Sequence, residues 1–228
     1  MLPRDRSAGR KGNALIEAVT FDLDGTLIDS TDAIVNSVMH TFDEMGEERP
    51  TRRAIVEGIG HTLEDGFRQL GHSDPAEYVR IYRTHYAEAA CAQTTLMPGA
   101  AESLARLREA GLKLAFATSK KRVYAEMILD HFGEVDQFVS RIGPDDVANP
   151  KPHPEPLLKS LTNLGVAAES MFFVGDTHFD VLAARAAGVR CLCVTTGYAT
   201  RAELEALNPE RVFDFLPELT AYILGRLD

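Results

Sequence analysis

The chain has 228 residues and a formal net charge of −10 at pH 7. This length allows one large domain, or one domain with a small insertion, and it is sufficient to bury a full core. The acidic balance argues against nucleic acid and against an anionic membrane surface as the main partner. A composition of 45% hydrophobic and 25% charged residues is typical of an ordinary globular protein.

The cysteines and the apolar segments exclude further classes of protein. Cys91, Cys191 and Cys193 do not form a disulfide framework, and no clustered histidine completes the spacing of a tetrahedral zinc site. We expect all three to be reduced thiols. No run of about 18 apolar residues predicts a membrane span, and the N-terminal residues lack the apolar stretch of a signal peptide. We therefore expect a cytoplasmic protein whose residues 1–14 form a polar, disordered tail.

The first predicted strand lies within residues 16–23 and ends in two carboxylates. Apolar side chains alternate along it, so Asp22 and Asp24 fall where the strand leaves the sheet, directly before a Gly-Thr turn. In open α/β sheets, ligands bind at the carboxyl ends of the strands. Two carboxylates this close raise each other's pKa, and the pair therefore requires a cation or a shared proton.

Residues 30–95 have the pattern of a helical insertion. After a capping residue at Ser30 or Thr31, apolar residues recur at helical spacing up to Met45, which predicts one apolar stripe on a helix that ends at Gly46. Three further helices are predicted at residues 52–56, 63–70 and 75–91. No stretch of this region shows the alternation of a strand.

From Pro98 onward, predicted helices and strands alternate. The predicted strands lie at residues 112–117, 137–140, 171–174, 190–194 and 211–213. Strands that alternate with helices favour a mostly parallel sheet covered by helices on both faces. The sequence therefore predicts an α/β fold.

Polar residues follow the ends of several predicted strands. Lys151 lies between two prolines, which restrict the backbone on both sides of it. The other candidates of this kind are Asp22, Asp24, Thr118, Ser119, Asp176 and Asp180. Because the carboxyl ends of parallel strands meet at one edge of a sheet, we expect these side chains to lie together. Oxygen ligands without cysteine or clustered histidine favour Mg²⁺, and a metal ion together with a lysine can neutralise a transferring phosphoryl group.

The motifs resemble those of the haloacid dehalogenase superfamily of phosphohydrolases, in the branch similar to phosphoglycolate phosphatase. The resemblance covers nearly all of the chain from Ile16 onward. Its four motifs, in the expected order, are Asp22-Leu23-Asp24-Gly25-Thr26, Thr118, Lys151 and the stretch from Gly175 to Asp180. The resemblance implies a Rossmann-like core at residues 15–29 and 96–228, with an inserted all-helical cap at residues 30–95.

The resemblance also implies a role for each catalytic residue. Asp22 would be the nucleophile that forms an aspartyl-phosphate. Asp24 would protonate the leaving oxygen and then take a proton from water. Thr118, whose role the neighbouring Ser119 can share, and Lys151 would hold the transferring phosphoryl group.

The metal that the resemblance implies is Mg²⁺. Asp176 would bind it together with Asp22 and the backbone carbonyl of Asp24, and Asp180 would act directly or through water. A plainer interpretation of Asp180 is that it favours the first turn of a helix through the helix dipole.

A loop at residues 58–62 would face the phosphate site by the same resemblance. Its candidate substrate-binding residues are His61 and Thr62. A polar loop flanked by glycines is more often only a connection between helices.

The resulting hypothesis is a Mg²⁺-dependent phosphatase of a small phosphate monoester, with 2-phosphoglycolate as the leading candidate by resemblance. Nucleotide, pyrophosphate and sugar-phosphate substrates stay open. We expect a monomer or homodimer that binds neither nucleic acid nor a membrane. An alternative of another class is a non-catalytic phosphate-binding or regulatory protein, which would be expected to have lost Asp22, Asp24 or Lys151.

Overall fold

A parallel sheet forms the centre of the molecule in the computed structural model, which describes residues 15–227. The strands of this part of the chain are Ala18–Phe21 (β1), Ile28–Asp29 (β2), Thr95–Leu96 (β3), Lys113–Ala117 (β4), Phe138–Ile142 (β5), Met171–Gly175 (β6), Arg190–Val194 (β7) and Arg211–Phe213 (β8). Six of them pair in parallel in the order β5-β4-β1-β6-β7-β8. The predicted strands are confirmed, with ends that differ by a few residues.

Helices cover both faces of this sheet, and others lie in the segment inserted between β2 and β3. The α-helices of the described residues are Thr31–Met45 (α1), Arg52–Glu57 (α2), Leu63–Gln69 (α3), Ala76–Ala89 (α4), Ala100–Glu109 (α5), Arg122–His131 (α6), Glu155–Leu164 (α7), His178–Ala187 (α8), Arg201–Ala206 (α9) and Leu216–Leu224 (α10). α7 and α8 pack on one face, and α5 and α10 pack on the other. The structure confirms the predicted α/β class with a Rossmann-like parallel sheet.

Alternation along the strands divides the apolar core into two layers. In β4, Leu114 and Phe116 belong to the layer under α5 and α10, whereas Ala115 and Ala117 belong to the layer under α7 and α8. All four are buried. Because both faces of each strand are covered, the strands read as nearly continuous apolar runs in the sequence.

The position of β1 in the sheet determines which residues can meet. Phe21 at its end lies level with Phe116 of β4 on one side and with Val174 of β6 on the other. Along the chain, β4 and β5 are added on one side of β1, and β6, β7 and β8 are added later on the other side. The direction in which strands are added therefore reverses at β1. Ligands of open α/β sheets bind at such a point, outside the carboxyl ends of the strands.

The residues from 30 to 95, called the helical segment below, contain α1 to α4. The predicted end of α1 is confirmed, since Gly46 follows it with a φ of 69°. The other described residues are called the sheet region. β2 directly precedes Ser30, β3 begins at Thr95, the last residue of the segment, and the two strands pair in antiparallel orientation with Asp29 opposite Thr95. Sequence analysis missed both strands because two residues are too few to show alternation. The division into core and cap domains stays a prediction.

Two further predictions concern composition. In the described residues, no helix combines the length and the apolar character that are needed to span a bilayer. Cys91, Cys191 and Cys193 are free, as predicted. The tail predicted at residues 1–14 lies outside the described residues.

Candidate active site

Three carboxylates meet at the ends of β1 and β6. Asp22 directly follows β1, Asp176 directly follows β6, and Asp180 lies in the first turn of α8, as the plainer interpretation of it predicted. One carboxylate oxygen of each lies within 4.8 Å of the others, and all three residues are buried. The structure thus brings together three of the four residues that were predicted to bind metal.

Lys151 is the cation of this cluster. Its Nζ lies 3.0 Å from Asp22 Oδ1 and 2.7 Å from Asp180 Oδ1. The contact with Asp22 does not have hydrogen-bond geometry, so Asp22 Oδ1 is buried without a donor among the described residues. One lysine therefore contacts two of the three buried carboxylates, and the cluster would have an excess of negative charge if all three were ionised.

Asp176 is held from two sides. Thr26 Oγ1 donates a hydrogen bond of 2.8 Å to Oδ1, and the backbone amide of Tyr198 donates one of 3.0 Å to Oδ2. The backbone approaches the same carboxylate at Gly25 and Gly197, where an added Cβ would lie 2.4 Å and 1.8 Å from Oδ2. Both positions therefore require glycine.

Asp180 uses both of its oxygens within the protein. Oδ2 accepts hydrogen bonds from the backbone amide of Asp176 (3.1 Å) and from the amide and hydroxyl of Thr177 (2.9 and 2.7 Å). Oδ1 accepts the hydrogen bond from Lys151. A metal ligated directly by Asp180 would compete with these donors.

Burial controls the protonation of the cluster. It raises the pKa of Asp22 to about 7; Lys151 opposes the shift, and Asp180 and Asp24 add to it. Burial, with Asp180 and Asp22, also raises the pKa of Asp176 well above its ordinary value. For Lys151, burial lowers the pKa, but Asp180 and Asp22 outweigh it and the net shift is upward. The lysine stays charged, while Asp22 and Asp176 have raised pKa values and bind protons more tightly than ordinary aspartates, and a bound cation would displace those protons.

Asp24 belongs to a separate network. Its Oδ1 accepts a hydrogen bond from Ser30 Oγ and lies 3.1 Å from Lys120 Nζ. Lys120 Nζ also donates a hydrogen bond of 2.6 Å to Tyr86 Oη, on α4 of the helical segment. Ser30 does precede α1, but the predicted cap is wrong in its chemistry, because the hydroxyl caps no backbone amide and donates to Asp24 instead.

Sequence analysis assigned no role to Lys120 or Thr26. The only signal for Lys120 is its position directly behind Thr118 and Ser119 at the end of a strand. The only signal for Thr26 is the turn after Asp24. Neither pattern reveals where the side chain points, and this depends on the path of each loop.

The hydroxyl residues after β4 have different contacts. Thr118 is buried, lines the same cleft as Asp22, and accepts a hydrogen bond of 3.1 Å from the amide of Lys120. Ser119 Oγ donates a hydrogen bond of 2.7 Å to the carbonyl of Gly60. Ser119 therefore connects the sheet region to the loop at residues 58–62.

His61 and Thr62 both line this cleft from the helical segment. Thr62 caps α3: its hydroxyl accepts a hydrogen bond of 3.2 Å from the amide of Asp65 and donates one of 2.7 Å to the carboxylate of the same residue. The His61 ring packs edge-on against Phe179, 4.4 Å between centroids. Burial lowers the pKa of His61, which favours the neutral ring.

The cleft lies between the sheet region and the helical segment and holds about 940 Å³ of empty space, its mouth included. Asp22, Asp24 and Thr118 line its sheet-region side. Lys151 and Asp176 are buried behind that wall. The arrangement offers a carboxylate to the cleft with a cation directly behind it.

The chain is similar to hydrolases in sequence and in structure. The family model for haloacid dehalogenase-like hydrolases matches residues 19–194. Pyrophosphatase PpaX of Halalkalibacterium halodurans is 37% identical over 206 residues, covering 90% of this chain and 95% of that protein. The probable phosphatase IndB of Dickeya dadantii is 37% identical over 209 residues, covering 88% and 90%. A haloacid dehalogenase-like family hydrolase from Streptococcus pneumoniae superposes with a TM-score of 0.82 at 30% identity, covering 91% of this chain and 98% of that chain.

Proposed function

Because the chain belongs to the haloacid dehalogenase-like hydrolase family and is a phosphatase of that family, we propose that it hydrolyses small phosphate monoesters with Mg²⁺ as its cofactor. The observation that carries the proposal is the carboxylate of Asp22. It lines the cleft, and its Oδ1 is buried 3.0 Å from Lys151 Nζ. With Oδ1 held beside this cation, Oδ2 is the oxygen that would attack phosphorus as the nucleophile.

The reaction follows in two steps from Asp22 and Asp24. An oxygen of Asp22 bonds to phosphorus while the ester P–O bond breaks, and the alcohol oxygen keeps the electron pair and takes a proton from Asp24. Water then attacks the aspartyl-phosphate and gives a proton to Asp24, the bond to Asp22 breaks, and phosphate is released. Ser30 and Lys120 both contact Oδ1 of Asp24, so the transferred proton belongs on Oδ2.

Lys151 and Thr118 hold the phosphoryl oxygens in this proposal. Lys151 has the charge for the task, and Asp180 orients it through their 2.7 Å hydrogen bond. Thr118 offers a buried hydroxyl on the wall of the cleft. Because the groups are fixed before the substrate arrives, little reorganisation is needed as charge develops.

The residues present fit Mg²⁺. The cluster has only oxygen ligands, an excess of negative charge and an acceptor on Asp22 without a donor. Asp22 and Asp176 would bind the ion together with the backbone carbonyl of Asp24. Asp180 would act through water, since both of its oxygens accept hydrogen bonds. When bound, the ion would neutralise charge on the phosphoryl oxygens.

The helical segment would serve as a cap over the cleft. Two contacts support this role: Ser119 Oγ to the Gly60 carbonyl, 2.7 Å, and Lys120 Nζ to Tyr86 Oη, 2.6 Å. Both connect a residue behind the end of β4 to the segment. A cap in this position excludes water from the phosphoryl group.

The substrate is the finer part of the proposal. The resemblance to phosphoglycolate phosphatases makes 2-phosphoglycolate the leading candidate. The name of the relative PpaX makes pyrophosphate a second one. Nucleotide and sugar phosphates stay open. A non-catalytic binding protein is the weaker alternative, because Asp22, Asp24 and Lys151 are all present.

The test of the proposal is Asp22→Asn. With Mg²⁺ and p-nitrophenyl phosphate, we expect kcat/KM to fall by at least about 10³-fold, as for removal of other catalytic nucleophiles. Asp136→Asn is the matched control, since that side chain is 97% exposed. Thermal unfolding of both variants checks that they fold. A loss of less than tenfold in the Asp22 variant would overturn the assigned nucleophile.

A further inference from the structure

The loop that follows β7, residues 195–199, is called the β7 loop below. Because β7 runs parallel to β6, this loop leaves the sheet at the same edge as Asp176. Thr196 Oγ1 donates a hydrogen bond of 2.8 Å to the carbonyl of Gly25, in the turn directly after Asp24. The β7 loop is therefore attached to the turn that follows β1, although about 170 residues of chain separate the two.

The β7 loop encloses the Asp176 carboxylate without free space. The amide of Tyr198 donates its 3.0 Å hydrogen bond to Oδ2, and a Cβ added to Gly197 would lie 1.8 Å from the same oxygen. On the other side, a Cβ added to Gly25 would lie 2.4 Å from Oδ2 and 2.9 Å from the Cα of Gly197. Closely packed groups cannot move independently. A displacement of the β7 loop therefore displaces the carboxylate of Asp176.

The side chain of Tyr198 extends from the β7 loop to the helical segment. Its Oη forms a hydrogen bond of 3.1 Å with Oγ1 of Thr31, the first residue of α1. Burial raises the pKa of Tyr198, and Asp24 and Asp176 add to the shift, as expected of a phenol close to both carboxylates. Tyr198 thus contacts Asp176 with its backbone and the first helix of the segment with its side chain.

The two contacts of Tyr198 make different demands on the residue type. Any residue except proline can donate the amide, so the hydrogen bond to Asp176 does not require a tyrosine. The hydroxyl is specific to the residue, and Thr31 is its hydrogen-bond partner among the described residues. A phenol that is largely buried without such a partner would be costly. The particular contribution of the tyrosine is therefore its link to α1.

We propose, on the basis of the phosphatase function above, that Tyr198 is a positioning residue that couples the metal ligand Asp176 to the start of the helical segment. With Tyr198 bound to Thr31, the β7 loop holds the Asp176 carboxylate near that of Asp22, so that Mg²⁺ binding has less to order. Coupling between two sites is reciprocal, and Mg²⁺ held by Asp176 therefore stabilises the start of α1 in return.

Tyr198→Phe and Thr31→Val each remove this hydrogen bond and nearly preserve the shape of the side chain. We expect each to raise the Kd for Mg²⁺ about three- to tenfold, as for the loss of one hydrogen bond, when Kd is obtained from the dependence of Tm on Mg²⁺ concentration. The double variant should show no larger increase than either single variant, because both substitutions remove the same contact.

Tyr222→Phe is the matched control for these measurements. It removes a tyrosine hydroxyl of the sheet region that donates a hydrogen bond of 2.9 Å to Glu210, away from the carboxylates. Its Kd for Mg²⁺ should equal that of the wild-type chain. Comparison of Tm in chelator shows how far each substitution affects the fold itself, which a merely structural role of Tyr198 would change without changing the Kd.

Hydrogen exchange measures the reciprocal effect. In the wild-type chain, Mg²⁺ should slow amide exchange in peptides from residues 31–38 relative to chelator, and Tyr198→Phe should remove most of this slowing. No slowing in the wild-type chain, or an equal slowing in the variant, overturns the inference.

Two results of the Mg²⁺ titration also overturn it: an unchanged Kd in the folded Tyr198→Phe variant, and increases in Kd that multiply in the double variant. Neither readout requires a substrate. A wild-type chain that binds Mg²⁺ but hydrolyses no phosphate ester contradicts the proposed function alone. An active wild-type chain whose Kd is unaffected by Tyr198→Phe contradicts the inference alone.

Discussion

The sheet region and the helical segment hold their charged side chains in opposite ways. In the sheet region, Asp176 is fully buried and fixed by Thr26 and Tyr198. In the helical segment, a typical ion pair is Arg53 with Glu57, whose side chains are 88% and 62% exposed. Exposed pairs contribute about 0–1 kcal/mol, whereas buried charges are costly to desolvate. The sheet region therefore holds costly, fixed charges, whereas the charges of the helical segment lie mainly at its surface.

Among the variants that test this difference between the two regions, Asp24→Asn is expected to have the largest effect on kcat/KM. Loss of the general acid should lower kcat/KM for ethyl phosphate about 10²–10⁴-fold. The first turnover of p-nitrophenyl phosphate should lose much less, because its leaving group needs little protonation. Stopped-flow measurement of p-nitrophenol release distinguishes the two steps, and an equal loss on both esters would argue against the assigned role.

A smaller effect is expected where the two regions touch. Lys120→Met removes a charged contact to Asp24, and we expect a loss of about 10–100-fold on ethyl phosphate. If Lys120 acts by positioning Asp24, kcat/KM for ethyl phosphate should fall more than kcat/KM for p-nitrophenyl phosphate. The Asp24 variant should show the same difference between the two esters.

Tyr86→Phe tests the other end of the same contact. It removes the hydroxyl that accepts the hydrogen bond from Lys120 and keeps the ring, so a loss of a few-fold is expected on ethyl phosphate. If activity were unchanged, the contact between Tyr86 and Lys120 would contribute nothing to the position of Asp24, and Ser30 would be the residue of the helical segment that positions it.

A further prediction concerns pH and metal. The pKa of Asp22 is raised to about 7 in the folded chain, so the metal-free fold binds protons that the unfolded chain has lost. The contribution of Asp22 to the free energy of unfolding therefore declines as pH rises from about 4 to about 7. Mg²⁺ must displace these protons, so the increase in Tm between chelator and millimolar Mg²⁺ should be larger at pH 8 than at pH 5.

The matched variant for this measurement is Asp22→Asn, which should reduce the pH dependence of the Mg²⁺ effect. An equal increase in Tm at the two pH values in the wild-type chain would contradict the assignment of the buried acids as the metal site.

The smallest effect on activity is expected from Thr62→Ala. Loss of the cap of α3 should cost about 1 kcal/mol of stability and change kcat/KM less than twofold. Thr51→Ala is the matched variant, because Thr51 caps α2 in the same way but does not line the cleft. A rise of KM in the Thr62 variant alone would show that Thr62 binds substrate, as the family resemblance suggested.

The sequence predicted those features that depend on periodicity and on strand ends. Alternation along β1, β4 and β6 is enough to infer a parallel sheet, and the strand-end rule then brings Asp22, Thr118 and Asp176 to one edge. These inferences need no knowledge of side-chain directions.

The contacts made by loops could not be predicted in this way. Lys120 reaches Asp24, and Ser119 reaches Gly60, only because of how the turn after β4 is shaped. Ser30 has the residue type and position of a helix cap, yet its φ and ψ of −109° and 14° are not the extended values usual for a cap, and its hydroxyl donates to the Asp24 carboxylate without accepting from an amide of α1. The direction of this side chain depends on the path of the loop, which local sequence patterns do not contain.

The pairing of β2 with β3 brings the two crossings between the regions side by side. Asp29 lies opposite Thr95, and the ends of an antiparallel pair can be joined by a turn of two residues. The chain of the sheet region would thus remain continuous if residues 30–94 were exchanged for an insertion of another length. We therefore expect that the helical segment can be exchanged for another insertion, provided that the new insertion again supplies a hydroxyl to Asp24 and a partner to Lys120.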